Sequence, residues 1–179
     1  MIYRFRIIWD NEEEDVFRDI EIDSSDTLED FHNAIIQAFG FDGSEMASFY
    51  ESNELWEEGE EISLFDLGET PGEARVMNET FLEDAFSKDN TRMIYVYDFL
   101  FMWTFMVELA DIVEREEGQT YPNLMFVQGQ IPLEAEDDEL YEDEYGDYED
   151  FEEEEDDFLF EDLDLDQDYE DLGFDENWN

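Results

Sequence analysis

The chain has 179 residues and a formal net charge of −51, from 58 Asp or Glu against seven Lys or Arg, with one His and no Cys. That balance excludes direct nucleic-acid binding, which rests on Lys and Arg neutralising phosphates, and disfavours anionic membrane surfaces. It also excludes disulfides and thiolate metal sites. A basic protein surface, a polycation or a divalent ion remains attractive, while 42% hydrophobic and 17% aromatic residues are enough for a core.

The opening MIYRFRIIWD sets Arg4 and Arg6 inside an apolar stretch, unlike a secretion signal, so a cytoplasmic location is expected. Tyr3 to Trp9 alternates with period two, the acidic stretch Asn11 to Asp15 reads as a turn, and Val16 to Ile22 resumes the alternation. Together they predict a hairpin. Ser24, Ser25 and Asp26 offer an N-cap to a helix bearing Leu28, Phe31, Ile35, Ala38 and Phe39, with Gly40 as its C-cap. Short strands are predicted around Ser48–Tyr50, Leu55–Trp56 and Ile62–Phe65, then a loop over Gly68–Ala74 and a helical turn over Phe81–Phe86.

The most apolar window, Met93 to Val107, is broken by Asp98 and is shorter than the ~20 residues of a membrane span. It reads as a buried strand pair, Ile94–Phe99 and Trp103–Leu109. A turn at Gly118–Pro122 and a strand at Leu124–Val127 follow. The fold class expected is α+β: a small mixed sheet with a β-grasp-like hairpin–helix opening, in a core domain spanning residues 1–133.

After Leu133 the pattern changes. Residues 134–179 hold 26 of the acids, none of the basic residues and nine aromatics. A tail that served solubility alone would not need those rings. The tail is expected to be largely disordered when free and to order on a partner. In it, Tyr141, Tyr145, Tyr148 and Phe151 have helical spacing, the run Glu152, Glu153, Glu154, Glu155, Asp156 and Asp157 follows, and then come Phe158, Phe160, Asp162, Asp164, Tyr169 and Trp178. These are the candidate partner-binding residues. As a helix the tail would carry roughly one charge per 2.7 Å, against one per ~1.7 Å along duplex DNA. That points to occupation of a basic groove, with the rings docking where such grooves stack bases.

The segment Tyr95 to Glu108, YVYDFLFMWTFMVE, resembles the plasmid "open reading frame three"-like family, often labelled TnpR-type insertion-element passenger proteins. Members show Tyr-x-Tyr-Asp-Phe-Gly-Asp-x-Trp-x-His before an acid. Tyr95, Tyr97, Asp98, Phe99, Trp103 and Glu108 match; Leu100, Phe101 and Phe105 stand where the family has Gly, Asp and His. The opening YRFRI, VFRDIEI and DTLEDFHNAIIQAFGFD, and the later YPNLMFVQGQIP, also correspond, so the resemblance covers about residues 2–133. It implies the small α+β fold with its hairpin-then-helix opening, and no activity. Replacement of Asp and His by Phe101 and Phe105 implies that any polar site there has become apolar packing.

Little in the chain suggests chemistry. His32 is read as a residue on the helix flank rather than a general base, since no nucleophile is spaced to use it. Asp98 is read as a carboxylate hydrogen-bonded to backbone or to one of the scarce arginines, rather than an acid–base catalyst. DEYGDYEDFEEE has carboxylates but not the register of an EF-hand loop, so no metal or other cofactor is expected. The expectation is a non-enzymatic, cytoplasmic protein, monomeric alone. Its acidic tail would bind a basic nucleic-acid-handling protein, RNA polymerase before others. The alternative is a passive solubility tail on a core with an enzymatic or protein-binding role of its own.

Overall fold

The structure, a computed structural model, describes residues 1–68 and 72–133. β1 (Ile2–Trp9) and β2 (Phe17–Asp23) form the predicted hairpin, paired from Ile2↔Asp23 to Ile8↔Phe17. α1 (Leu28–Phe39) follows, and its N-cap is Thr27 rather than Ser24 to Asp26. The Thr27 hydroxyl accepts from the Asp30 N–H, while the Asp30 carboxylate accepts from the Thr27 N–H, a reciprocal box that satisfies two otherwise orphaned donors. Gly40 ends the helix at φ +85°, a left-handed conformation that glycine adopts without a Cβ clash.

Next come β3 (Ala47–Glu51), β4 (Glu61–Ser63), a 3-10 turn (Met77–Glu79), α2 (Leu82–Ala85), β5 (Arg92–Tyr97), β6 (Trp103–Val113) and β7 (Asn123–Gln128). The predicted strand at Leu55–Trp56 is a turn: Leu55 is exposed and Trp56 sits at φ +58°, a backbone that cannot join a ladder. Seven strands form one sheet in the order β4-β3-β5-β6-β1-β2-β7. All six ladders are antiparallel, so the expected mixed sheet is corrected. Three of the ladders, β1–β2, β3–β4 and β5–β6, join consecutive strands by links too short for the crossover that a parallel pair needs. The only parallel contact among the described residues is an isolated bridge, Ser63↔Val76.

Period two sorts each strand into two faces. Tyr3, Phe5 and Ile7 point to one side with Ile20, Ile22, Tyr95, Phe105 and Val107, and α1 covers them with Leu28, Phe31, Ile35 and Phe39. Phe5 packs on Phe31 at 4.4 Å and on Phe86 at 4.7 Å; Phe39 packs on Phe105 at 4.7 Å.

The opposite face carries the ion pairs. In register across four strands stand Asp19, Arg6, Glu108 and Arg92, alternating in sign, with Glu21, Arg4 and Asp111 as a second row. Arg6 meets Asp19 at 2.8 Å, Arg4 meets Glu21 at 2.8 Å and Arg92 meets Glu108 at 3.3 Å. Each exposed pair contributes little on its own. Their placement instead sets scarce cations among neighbouring acids and limits repulsion within the sheet.

Arg18 is different, because it lies on the core side and is 4% exposed. Its Nε donates to the Ala38 carbonyl (2.8 Å), and its Nη1 donates to the carbonyls of Phe17 and Gln128 (2.9 Å each). The guanidinium lies 4.6 Å from the Phe39 ring centre. It therefore ties the C-terminal end of α1 to β2 and β7. Arg18→Met keeps the stem and strands three carbonyls, so a loss of about 2–4 kcal/mol is expected, read as a lower urea midpoint at unchanged slope.

Candidate functional site

Antiparallel pairing brings many loops to one end of the sheet. The pairs Ile8↔Phe17, Ile8↔Met106, Tyr97↔Trp103, Ala47↔Tyr97 and Phe17↔Gln128 all lie there. The end consists of the acidic turn after β1, the segment after α1, the β5–β6 tip and the segment after β7. Asn11 shapes the acidic turn: its Oδ1 accepts from the N–H groups of Glu13 (2.9 Å) and Glu14 (2.8 Å), and its Nδ2 donates to the Glu14 carbonyl (2.8 Å). Glu12, Glu13 and Glu14 are thereby held outward and exposed. They share an open cleft of about 1150 Å³ with Trp9, Phe39 and Val127.

Beside it, the Tyr97 hydroxyl accepts from the N–H groups of Gly43 (3.1 Å) and Glu45 (3.3 Å) and donates to Asp42 (3.2 Å). Ser44 holds the Asp42 carboxyl below its usual range, its backbone N–H first and its hydroxyl second, so this carboxylate stays charged. The chain then leaves β7 through Gly129 at φ +64°, where a Cβ would lie 2.9 Å from Val16 Cγ2. It passes Leu133 on the same end, beside Gly40, Phe41 and Asp42.

The β5–β6 tip is an apolar knob shaped by backbone hydrogen bonds. The Asp98 N–H donates to the Met46 carbonyl (2.8 Å), and Asp98 Oδ1 accepts from the Leu100 N–H (2.9 Å) and, more loosely, from Phe101 (3.4 Å). Asp98 is thus a carboxylate committed to backbone, with φ +59°, and Met102 has φ +55°. Between them Phe99, Leu100 and Phe101 stand exposed. Of the two positions expected to have become packing, Phe105 is fully buried, whereas Phe101 is 48% exposed. A hairpin tip projects past the sheet and finds nothing to pack on.

His32 is not on a helix flank. It is 3% exposed, and its Nδ1 lies 2.8 Å from the Tyr95 hydroxyl inside the core. Burial lowers its pKa from 6.5 to about 4, so the imidazole is neutral. The same burial raises the Tyr95 phenol well above its ordinary value. Enclosed in this way, the pair is a satisfied polar contact with no route for a substrate.

All seven basic residues fall within the described part, and six are arginines held by the fold. Besides Arg4, Arg6, Arg18 and Arg92, Arg75 bridges Glu51 and Glu60, and Arg115 meets Asp23 at 2.6 Å. No basic patch is left over. Among the described residues no group of three or more His, Asp or Glu is arranged to hold a metal ion. No helix among them is long and apolar enough to cross a membrane.

The candidate partner-binding residues, from Tyr141 to Trp178, and the expected disorder of the tail all lie outside the described residues. The strand at Leu124–Val127 is legible in the sequence, but neither its bare edge nor the exposed tip stands out there. Their signal was present in unbroken apolar runs, FLFM and LMFV, with no helix spacing to bury them.

Among solved structures, the chain is similar to the crystal structure of a protein of unknown function from Methanosarcina mazei Go1. The identity is 23%, the alignment covers 70% of this chain and 68% of that one, and the TM-score is 0.61. At that identity the likeness concerns the fold alone. No curated protein matches the chain. A family model, that of the plasmid pRiA4b ORF-3-like proteins, matches residues 1–177. The match runs well past the 2–133 over which the sequence resemblance was drawn.

Proposed function

The chain belongs to the plasmid pRiA4b ORF-3-like family, a description that names no activity, and from its own residues we propose a non-enzymatic acidic protein that binds a basic, nucleic-acid-handling protein. One observation carries this reading: 26 acids and nine aromatics follow Leu133, on a folded part whose arginines are already engaged with its own acids and carbonyls. Charge of one sign therefore remains to be met by a partner. Long-range attraction would speed encounter, and Tyr145, Phe151, Phe158 and Phe160 would anchor the complex.

A positively charged nucleic-acid channel fits this chemistry, with RNA polymerase the first partner to test and replication enzymes next. Such a partner places the protein in the cytoplasm. The insertion-element role that the sequence resemblance suggested is not part of this proposal, since the chain lacks both a basic DNA-contacting surface and a serine nucleophile supported by free arginines.

The test is capture from lysate by the full chain and by a chain ending at Leu133, at low and high salt. The expected result is a nucleic-acid-handling protein held by the full chain only, released by salt and displaced by added DNA. Equal capture by both chains, or capture indifferent to DNA, overturns the reading.

A further inference from the structure

β7 pairs only with β2 among the described residues and forms one border of the sheet. Native border strands are usually blunted by Lys, Pro or brevity, because their unpaired N–H and C=O groups template another chain. β7 has six residues and contains no charge, Pro or Gly, and Leu124, Met125, Phe126 and Val127 are each 45–50% exposed. Its register shifts between Asp19 and Ile20, a bulge that leaves Met125 without a partner opposite and is the one blunting feature within the strand.

The acids near the strand differ in availability. Those on β2 are neutralised, Asp19 by Arg6, Glu21 by Arg4 and Asp23 by Arg115, and Glu21 also accepts a hydrogen bond from Asn123. Those at the two ends are not paired in this way among the described residues. Glu12, Glu13 and Glu14 border the cleft reached by Val127. At the other end Glu114, Glu116 and Glu117 lie in the segment joining β6 to β7, where the Glu116 N–H approaches the Tyr121 hydroxyl (3.4 Å). The border is thus a neutral apolar strand with an acidic group at each end.

We propose that this border of β7 takes up an extended segment of a basic protein, with an apolar middle flanked on both sides by Lys or Arg, as an additional strand. Backbone hydrogen bonds would supply affinity, and the flanking charges would set position. A second copy fits poorly. Antiparallel self-pairing would set Glu114, Glu116 and Glu117 of one molecule against Glu12, Glu13 and Glu14 of the other, and parallel pairing would set each group against itself. This inference rests on the proposed function for the basic nature of the partner, and it gives that partner a second docking edge on the folded part, too weak to hold it without the tail.

The experiment uses the full chain and two synthetic peptides carrying equal numbers of lysines at both ends, one with a Val-Thr alternating centre and one with a Gly-Ser centre. Amide hydrogen exchange is followed with each. The Val-Thr peptide is expected to slow exchange in residues 123–128 at least about tenfold, and the Gly-Ser peptide to leave them unchanged. Leu124→Lys with Val127→Lys should abolish the protection. Met125→Lys, at the unpaired position, serves if that double variant misfolds. Glu116→Gln with Glu117→Gln, remote from the core, should weaken peptide binding several-fold. Equal protection by both peptides, or protection that misses residues 123–128, overturns the proposal. So does dimerisation at about 0.15 M salt without peptide, which would make the occupant a second copy. Lysate capture by the full chain with no protection of β7 would sink this inference alone. Protection of β7 with no capture would sink only the proposed function.

Discussion

Between pH 7 and pH 4 the folded chain is expected to lose about 3 kcal/mol of stability through His32 alone. Above pH 6.5 the imidazole is neutral whether the chain is folded or not. As pH falls from 6.5 towards about 4, the unfolded chain takes up a proton that the buried ring refuses, because burial lowers its folded pKa to about 4. Stability therefore drains across that window and the loss is complete below it. Two and a half pKa units correspond to about 3 kcal/mol.

Protonation of the many carboxylates acts in the opposite direction by relieving self-repulsion, so the His32 contribution must be isolated by difference. His32→Gln keeps a hydrogen-bonding group for the Tyr95 hydroxyl and removes the titration. Urea unfolding of both chains from pH 7 to pH 4 should diverge by about 3 kcal/mol, the native chain falling faster. Parallel curves would show that the imidazole is not held neutral.

A second large effect concerns the proposed complex. Replacing Tyr145, Phe151, Phe158 and Phe160 by Ser removes rings and leaves every charge. The dissociation rate is expected to rise at least about 100-fold, since anchors of this kind contribute about 2 kcal/mol or more. The association rate should stay within about threefold, because charge governs encounter. Salt should do the reverse and slow association first. Surface-plasmon kinetics against the captured partner reads both rates. Equal loss in both rates would mean that the rings and the charges do not divide the work.

What was legible in the chain was local. The β1–β2 alternation, the helix from Leu28 to Phe39 with Gly40 behind it, and the β5–β6 pair each announce themselves locally; the first two stand in the structure as read, while β5 ends at Tyr97 and leaves Phe99 exposed in the tip, and β6 runs on to Val113. What escaped depends on partners distant in sequence. β1 lies between β2 and β6 because the backbone N–H and C=O groups on both its edges need partners, and period two alone does not name them. His32 reads as polar and therefore superficial. Only the Tyr95 hydroxyl, 63 residues away, lets it be buried. Leu55 and Trp56 carry strand-forming side chains on a backbone that turns. The strand-end face was invisible for the same reason: residues 9–15, 40–45, 98–103 and 128–133 meet only after six ladders have formed. The tail lies outside the described residues, so its reading still rests on composition.

The uncharged last strand also sets how this protein should behave as a colloid in acid. At neutral pH a charge of −51 keeps molecules apart, and a bare strand does no harm. The sequence isoelectric point is about 4.1, and there that protection vanishes while the buried imidazole is weakening the fold. Sheets can then join border to border through Leu124 to Val127, with the ~4.7 Å spacing of cross-β fibres. Acidification would turn a docking edge into a seed for fibrils, and the acids of the folded part and the tail together would be what normally keeps the protein in solution.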